Sequence, residues 1–114
     1  MNHPERIIQM NLVNWLRQKH PEIRFQANMS ESKSTAAWRS IQHRMGMRKG
    51  VSDLFFPESR MEFKGMWLEL KADKGRPSKE QIEFIKDMET CGYCGFITFG
   101  YEESEEKIKW FFSL

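Results

Sequence analysis

A carboxylate set inside an apolar run constrains this chain more than any other feature. Asp53 stands in Gly50-Val51-Ser52-Asp53-Leu54-Phe55-Phe56, and after a polar stretch a second apolar run reads Trp67-Leu68-Glu69-Leu70-Lys71. Both runs have the composition of buried β-strands. Side chains alternate faces along a strand and neighbouring strands lie about 4.8 Å apart. Glu69 and Lys71 therefore emerge together, opposite to Leu68 and Leu70, and an Asp53 on the adjacent strand could join them. An uncompensated carboxylate between Val51 and Leu54 is costly to bury and needs a partner or a cation. Two acids and an ammonium suit a hard divalent ion such as Mg²⁺, which takes oxygen ligands and needs only one or two protein carboxylates. Such an ion could stabilise charge on a scissile phosphate and acidify a bound water. Lys71, about 6.6 Å further along the strand, could orient that water or offset the charge building on the phosphate. The plainer reading of Glu69 and Lys71 is an ion pair on an exposed strand face.

The rest of the composition narrows the partners. A chain of 114 residues with a hydrophobic fraction of 39% fits one domain, residues 1–114, with one core. No apolar run approaches the roughly 20 residues that cross a bilayer, and no secretory apolar region follows Met1. A soluble protein of the cytoplasm is the expectation. The formal net charge of +2 hides an asymmetry. Residues 1–50 carry nine Lys/Arg against three Asp/Glu, a net of +6, and residues 51–114 carry nine against thirteen, a net of −4. A basic segment holding Arg39, Arg44, Arg48 and Lys49 just before Asp53 would draw a polyanion to the acidic pair. It could equally be a solvated face. Cys91 and Cys94 form one Cys-x-x-Cys, without a second pair or a histidine at ligand spacing, so two reduced structural cysteines are expected in place of a zinc site.

Spacing and capping signals predict helix, strand, an ill-defined helix, strand, strand, helix, strand, helix. Pro4 and the recurrence of Ile8, Leu12, Trp15 and Leu16 give a helix over about 4–19. Ile23 to Ala27 alternates as a half-buried strand. Residues 28–50 allow a short helix. Val51–Phe56 and Met66–Lys71 read as a hairpin. Ser78-Lys79-Glu80-Gln81 matches a capping box, opening a helix that runs to Gly92. A strand at Phe96–Phe99 and a helix over Glu102–Phe111 follow. Trp110, Phe111 and Phe112 form an apolar cluster that could be core or interface.

Gly50-Val51-Ser52-Asp53, then Glu69-Leu70-Lys71, then Gln81 resemble the restriction-endonuclease-like PD-(D/E)xK superfamily. Within it the match is to the VRR-NUC nuclease domain of phage replication proteins and of the eukaryotic interstrand-crosslink repair nuclease. The resemblance spans the first helix to the Phe96 strand. It implies an α/β fold with a mixed central sheet flanked by helices. It also implies hydrolysis of DNA phosphodiester bonds with Mg²⁺ or Mn²⁺, in a bacterial or phage-infected cytoplasm. Asp53 and Glu69 take the places of the two metal-binding acids, the Leu70 carbonyl that of a third ligand, and Lys71 that of the catalytic lysine. Gln81 matches a glutamine of the following helix and Glu5 an acid of the first. Each has a second explanation, Gln81 as the last member of the capping box and Glu5 as a charge suited to a helix N-terminus. Ser52 stands where the superfamily has proline, which is not a ligand.

Small members of that family resemble stand-alone homodimers that cut branched or four-way-junction DNA. Arg44, Arg48, Lys49, Lys74, Arg76 and Lys79 would meet phosphates, fixing position and not sequence. Three alternatives remain: a binding module that kept the fold and lost catalysis, a resolvase or restriction-type enzyme of the same superfamily, and a small thiol redox protein.

Overall fold

The computed structural model describes residues 3–28 and 35–114. Its elements are α1 (His3–Lys19), β1 (Gln26–Ala27), α2 (Ala36–Arg44), β2 (Leu54–Phe56), β3 (Met66–Lys71), α3 (Lys79–Thr90), β4 (Cys94–Phe99) and α4 (Tyr101–Phe112). The four strands form one sheet in the order β1-β2-β3-β4, with β1–β2 and β2–β3 antiparallel and β3–β4 parallel. This is the expected mixed α/β arrangement, and the crossover from β3 through α3 to β4 makes the parallel pair possible.

β3 is buried on both faces, and its alternation divides the molecule. Met66, Leu68 and Leu70 are wholly buried with Leu12 and Leu16 of α1, Leu54 and Phe56 of β2, and Ile108 and Phe111 of α4. Trp67 turns to the other face, where it stacks on Phe55 at 4.2 Å and meets Phe84 of α3 edge-on at 4.9 Å. Phe111 is therefore core. Trp110 is part-exposed and packs edge-on against Phe96 at 5.5 Å.

Two strands are shorter than the sequence predicts. β1 was expected over Ile23–Ala27, yet only Gln26 and Ala27 pair, with Phe55 and Leu54. Extending that register brings Arg24 opposite Pro57, which has no N–H to offer a ladder; Ile23 and Phe25 pack on the core without pairing. β2 was expected from Val51 and begins at Leu54, because the chain before it turns away from β3. β4 starts two residues early, at Cys94: a Cβ at Gly95 would come within 2.9 Å of Ile85, so close helix packing favours a glycine in the strand. Residues 29–34 of the ill-defined 28–50 segment lie outside the described residues. The rest holds α2, capped by the Thr35 hydroxyl accepting from the Trp38 amide at 3.1 Å. No residue of α2 is buried.

α3 begins as its capping box requires: Ser78 Oγ accepts from the Gln81 amide and Gln81 Oε1 accepts from the Ser78 amide. The segment leading to β2 presses on this helix start. Gly50 has φ +86°, and a Cβ there would lie 2.5 to 2.8 Å from backbone atoms of Glu80 and Gln81. Gly50→Ala combines a left-handed backbone with this clash, so it should lower stability by more than about 2 kcal/mol in urea unfolding. An unchanged midpoint would mean that the segment moves aside freely.

Candidate metal centre

The β2–β3 ladder ends at Leu54 opposite Leu68. Two residues on, the amide of Leu70 still points to that edge, since the Lys71 carbonyl accepts from Gly100 on the β4 side and successive peptide groups alternate. No backbone partner meets it there. Asp53 Oδ2 does, accepting from the Leu70 amide at 2.7 Å. The carbonyl of Leu70 faces the same edge, beside Asp53, for the same reason.

Glu69 and Lys71 lie on the α3 face of β3, as alternation predicts. Glu69 Oε2 accepts from Gln81 Nε2 at 3.1 Å, and Lys71 Nζ stands 3.9 Å from the same oxygen, too far for a hydrogen bond. All three charged groups are buried: Asp53 is 7% exposed, Glu69 2% and Lys71 8%. Gln81 thus does both of its jobs at once. Its carbonyl oxygen closes the capping box and its amide nitrogen holds Glu69. Glu5, half-buried in the first turn of α1, does not bond to either acid but raises the proton affinity of both by its charge. The structure therefore brings Asp53, Glu69, Leu70, Lys71 and Gln81 together and leaves Glu5 at the rim.

Electrostatics make the acidic pair unstable as two anions. Burial pushes the Glu69 carboxyl up to about 9, the Asp53 charge adds to it, and Lys71 opposes it. Burial also raises Asp53, against the lowering effect of the Leu70 amide. Glu69 Oε1 is buried and meets no donor. As a carboxylate Glu69 leaves that atom orphaned, and the nearby Asp53 charge favours the protonated form. A divalent cation would take the place of a proton in holding the two acids together. The donors fit one: two carboxylates and a carbonyl form an all-oxygen set for a hard ion. Among the described residues no three His, Cys, Asp or Glu side chains converge as ligands, so the Leu70 carbonyl is the third donor of the set.

The remaining expectations divide. Cys91 is exposed and Cys94 buried, both free thiols; burial pushes Cys94 up to about 11, the reverse of what a thiol nucleophile needs. Arg48 is exposed but already has partners within the chain. Its guanidinium pairs with Asp87 at 2.6 Å and lies over the Phe84 ring at 5.2 Å, pinning the segment before β2 to α3. Lys79 lies 3.8 Å from Glu83. Arg44, Lys49, Lys74 and Arg76 are exposed. Sequence reasoning missed Asn28, whose side chain and backbone bind the carbonyls of Ser52 and Asp53; an asparagine after a two-residue strand carries no signal by itself.

A scan of the sequence against models of protein families finds no match, and a search of curated proteins finds none either. Among solved structures, one titled "VRR_NUC domain protein" is similar over 100% of this chain and 92% of that one, with a TM-score of 0.86 and 21% identity. The chain has the VRR_NUC fold. On this fold the acidic pair occupies the point where β2 parts from β3.

Two buried acids whose proton affinities are raised give a pH dependence of known sign. The folded-state values are raised, so stability is full below the ordinary carboxylate range, near 4.5 for Glu69, and is lost as pH climbs through about 9. The melting temperature without divalent ions should therefore fall from pH 6 to pH 9. Mn²⁺ at about 100 times its pH 6 Kd should raise it by on the order of 10 °C at pH 6, and the same concentration should raise it more at pH 9. In Glu69→Gln both effects should shrink; a Mn²⁺ shift of parental size in that variant would place the ion elsewhere.

Proposed function

We propose that this chain is a divalent-metal-dependent DNA nuclease that hydrolyses phosphodiester bonds. The observation that carries the reading is the buried Asp53–Glu69 pair, with an orphaned Glu69 oxygen and the Lys71 ammonium alongside, within a VRR_NUC fold. Asp53, Glu69 and the Leu70 carbonyl would hold Mg²⁺ or Mn²⁺. Such an ion supplies charge stabilisation at the phosphate and a more acidic water.

The protein's own residues do the rest. Gln81 fixes the Glu69 rotamer through the hydrogen bond to Oε2, so the carboxylate stays aimed at Asp53. The Leu70 amide does the same for Asp53. Lys71 makes no direct hydrogen bond to Glu69, which leaves its protons for the attacking water or a phosphate oxygen. Glu5 adds negative charge at the rim, favouring a cation over an empty site.

Charge also sets the direction from which DNA arrives. The groove between α1 and α4 is lined by Asp73, Glu102, Glu103 and Glu106 and repels a polyanion. Arg44, Lys49, Lys74 and Arg76 are exposed and would meet phosphates. Contacts of this kind read backbone shape, which suits branched or four-way-junction DNA more than a particular sequence. Paired cuts at a junction call for a homodimer, with the cytoplasm of a bacterium or phage-infected host as the setting.

Cleavage of hairpin, flap, four-way-junction and linear duplex DNA with Mg²⁺, Mn²⁺ or EDTA tests the reading. EDTA should abolish cutting, and Lys71→Ala should slow it by about 10²- to 10⁴-fold with DNA binding retained. Binding should weaken on the order of 10²-fold between 50 and 200 mM salt if four phosphates are contacted. Undiminished cutting in EDTA would remove the metal site, and equal cutting of all substrates would remove the preference for junctions. Sedimentation of a monomer at working concentration would remove the dimer.

A further inference from the structure

We infer that Asn28 is a positioning residue for Asp53, setting the distance of that carboxylate from β3. The inference rests on the metal-site reading for its consequence, though not for its geometry. Asp53 lies at the first residue where the chain has left β3, so nothing in the β2–β3 ladder fixes its backbone. The opposite edge does. The Asn28 amide donates to the Asp53 carbonyl at 2.8 Å, continuing the β1–β2 ladder one step beyond Ala27 and Leu54. Asn28 Nδ2 donates to the Ser52 carbonyl at 3.1 Å. Two consecutive carbonyls are thus held by one residue, on a strand otherwise only two residues long.

The side-chain bond is the part that a substitution can remove. Without it, the Ser52–Asp53 segment keeps a single bond to β1, and Ser52 is fully buried, with no hydrogen-bond partner for its hydroxyl. The remaining restraint on Asp53 would be its own carboxylate reaching across to the Leu70 amide. A looser backbone lengthens that reach, and the acid no longer stands at a fixed separation from Glu69. Residues that orient metal ligands from behind typically change ion affinity by about 10- to 100-fold when altered.

Two measurements on the full chain separate this inference from the nuclease reading. Hydrogen exchange by NMR reads the Leu70 amide directly, with no metal or DNA. Asn28→Ala should speed exchange at Leu70 about tenfold while amides bonded between β3 and β4 keep their protection. Asn28→Gln, which retains a donor, should recover part of the difference, and Asn28→Asp, which lacks one, should not. Calorimetry with Mn²⁺ should then show about tenfold weaker binding in Asn28→Ala. Unchanged Leu70 exchange overturns the inference whatever the ion does, as does a uniform loss of protection across the sheet, which would mark a general fold defect. A parent chain that binds no Mn²⁺ sinks the nuclease reading and leaves Asn28 to be judged on Leu70 alone.

Discussion

The hydrogen bond from the Leu70 amide to Asp53 Oδ2 replaces a ladder bond by a side-chain one, and the site exists because of that replacement. Had β2 continued through Ser52 and Val51 beside β3, the Leu70 amide and carbonyl would be spent on backbone partners. By parting at Leu54, the strands leave a gap of two peptide groups at the sheet's interior edge. A buried amide left unpaired there would cost about 1 to 3 kcal/mol, so one carboxylate of the candidate site also satisfies the fold. The second acid has no such structural task. Glu69 is held by Gln81 on one oxygen and leaves the other without a donor, which folding alone does not favour.

Helices on both faces bury that gap. Leu68 and Leu70 are sealed by α1 and α4, while Trp67, Phe55 and Phe84 close the α3 face next to Glu69. Low polarity raises the proton affinity of both acids, and it strengthens any interaction with a cation for the same reason. The Arg48–Asp87 pair and the close approach of Gly50 to the start of α3 fix the segment before Asp53 against the helix that carries Gln81. Asp53 and Gln81 thus reach Glu69 from two elements that are themselves clamped together.

Much of this was legible in the sequence because local rules and burial agreed. β3 matched its expected bounds, since a long apolar run with Glu69 and Lys71 at period two reads as a strand; that both its faces are buried is set by the helices packed on them. The capping box at Ser78 marked the start of α3, and the recurrence of Leu12 and Leu16 marked the buried stripe of α1. The strand lengths were not legible. Propensity carried β2 back to Val51, whereas the true limit is set by where β3 offers a backbone partner, a non-local fact. The Arg48 pairing was not legible for a related reason: only the fold brings Asp87, 39 residues away, to the guanidinium.

Gln81 shows why a choice between structure and chemistry can be a false one. A side-chain amide has an acceptor and two donors on opposite sides of one planar group. At the third position of a helix, the acceptor turned back to the Ser78 amide leaves the nitrogen pointing outward from the helix start, and β3 passes there with Glu69. The cap therefore orients the site residue, and glutamate in the same place would cap the helix equally well while setting a third carboxylate against Glu69. The requirement for a donor toward β3 separates the two residues that a capping box otherwise treats alike.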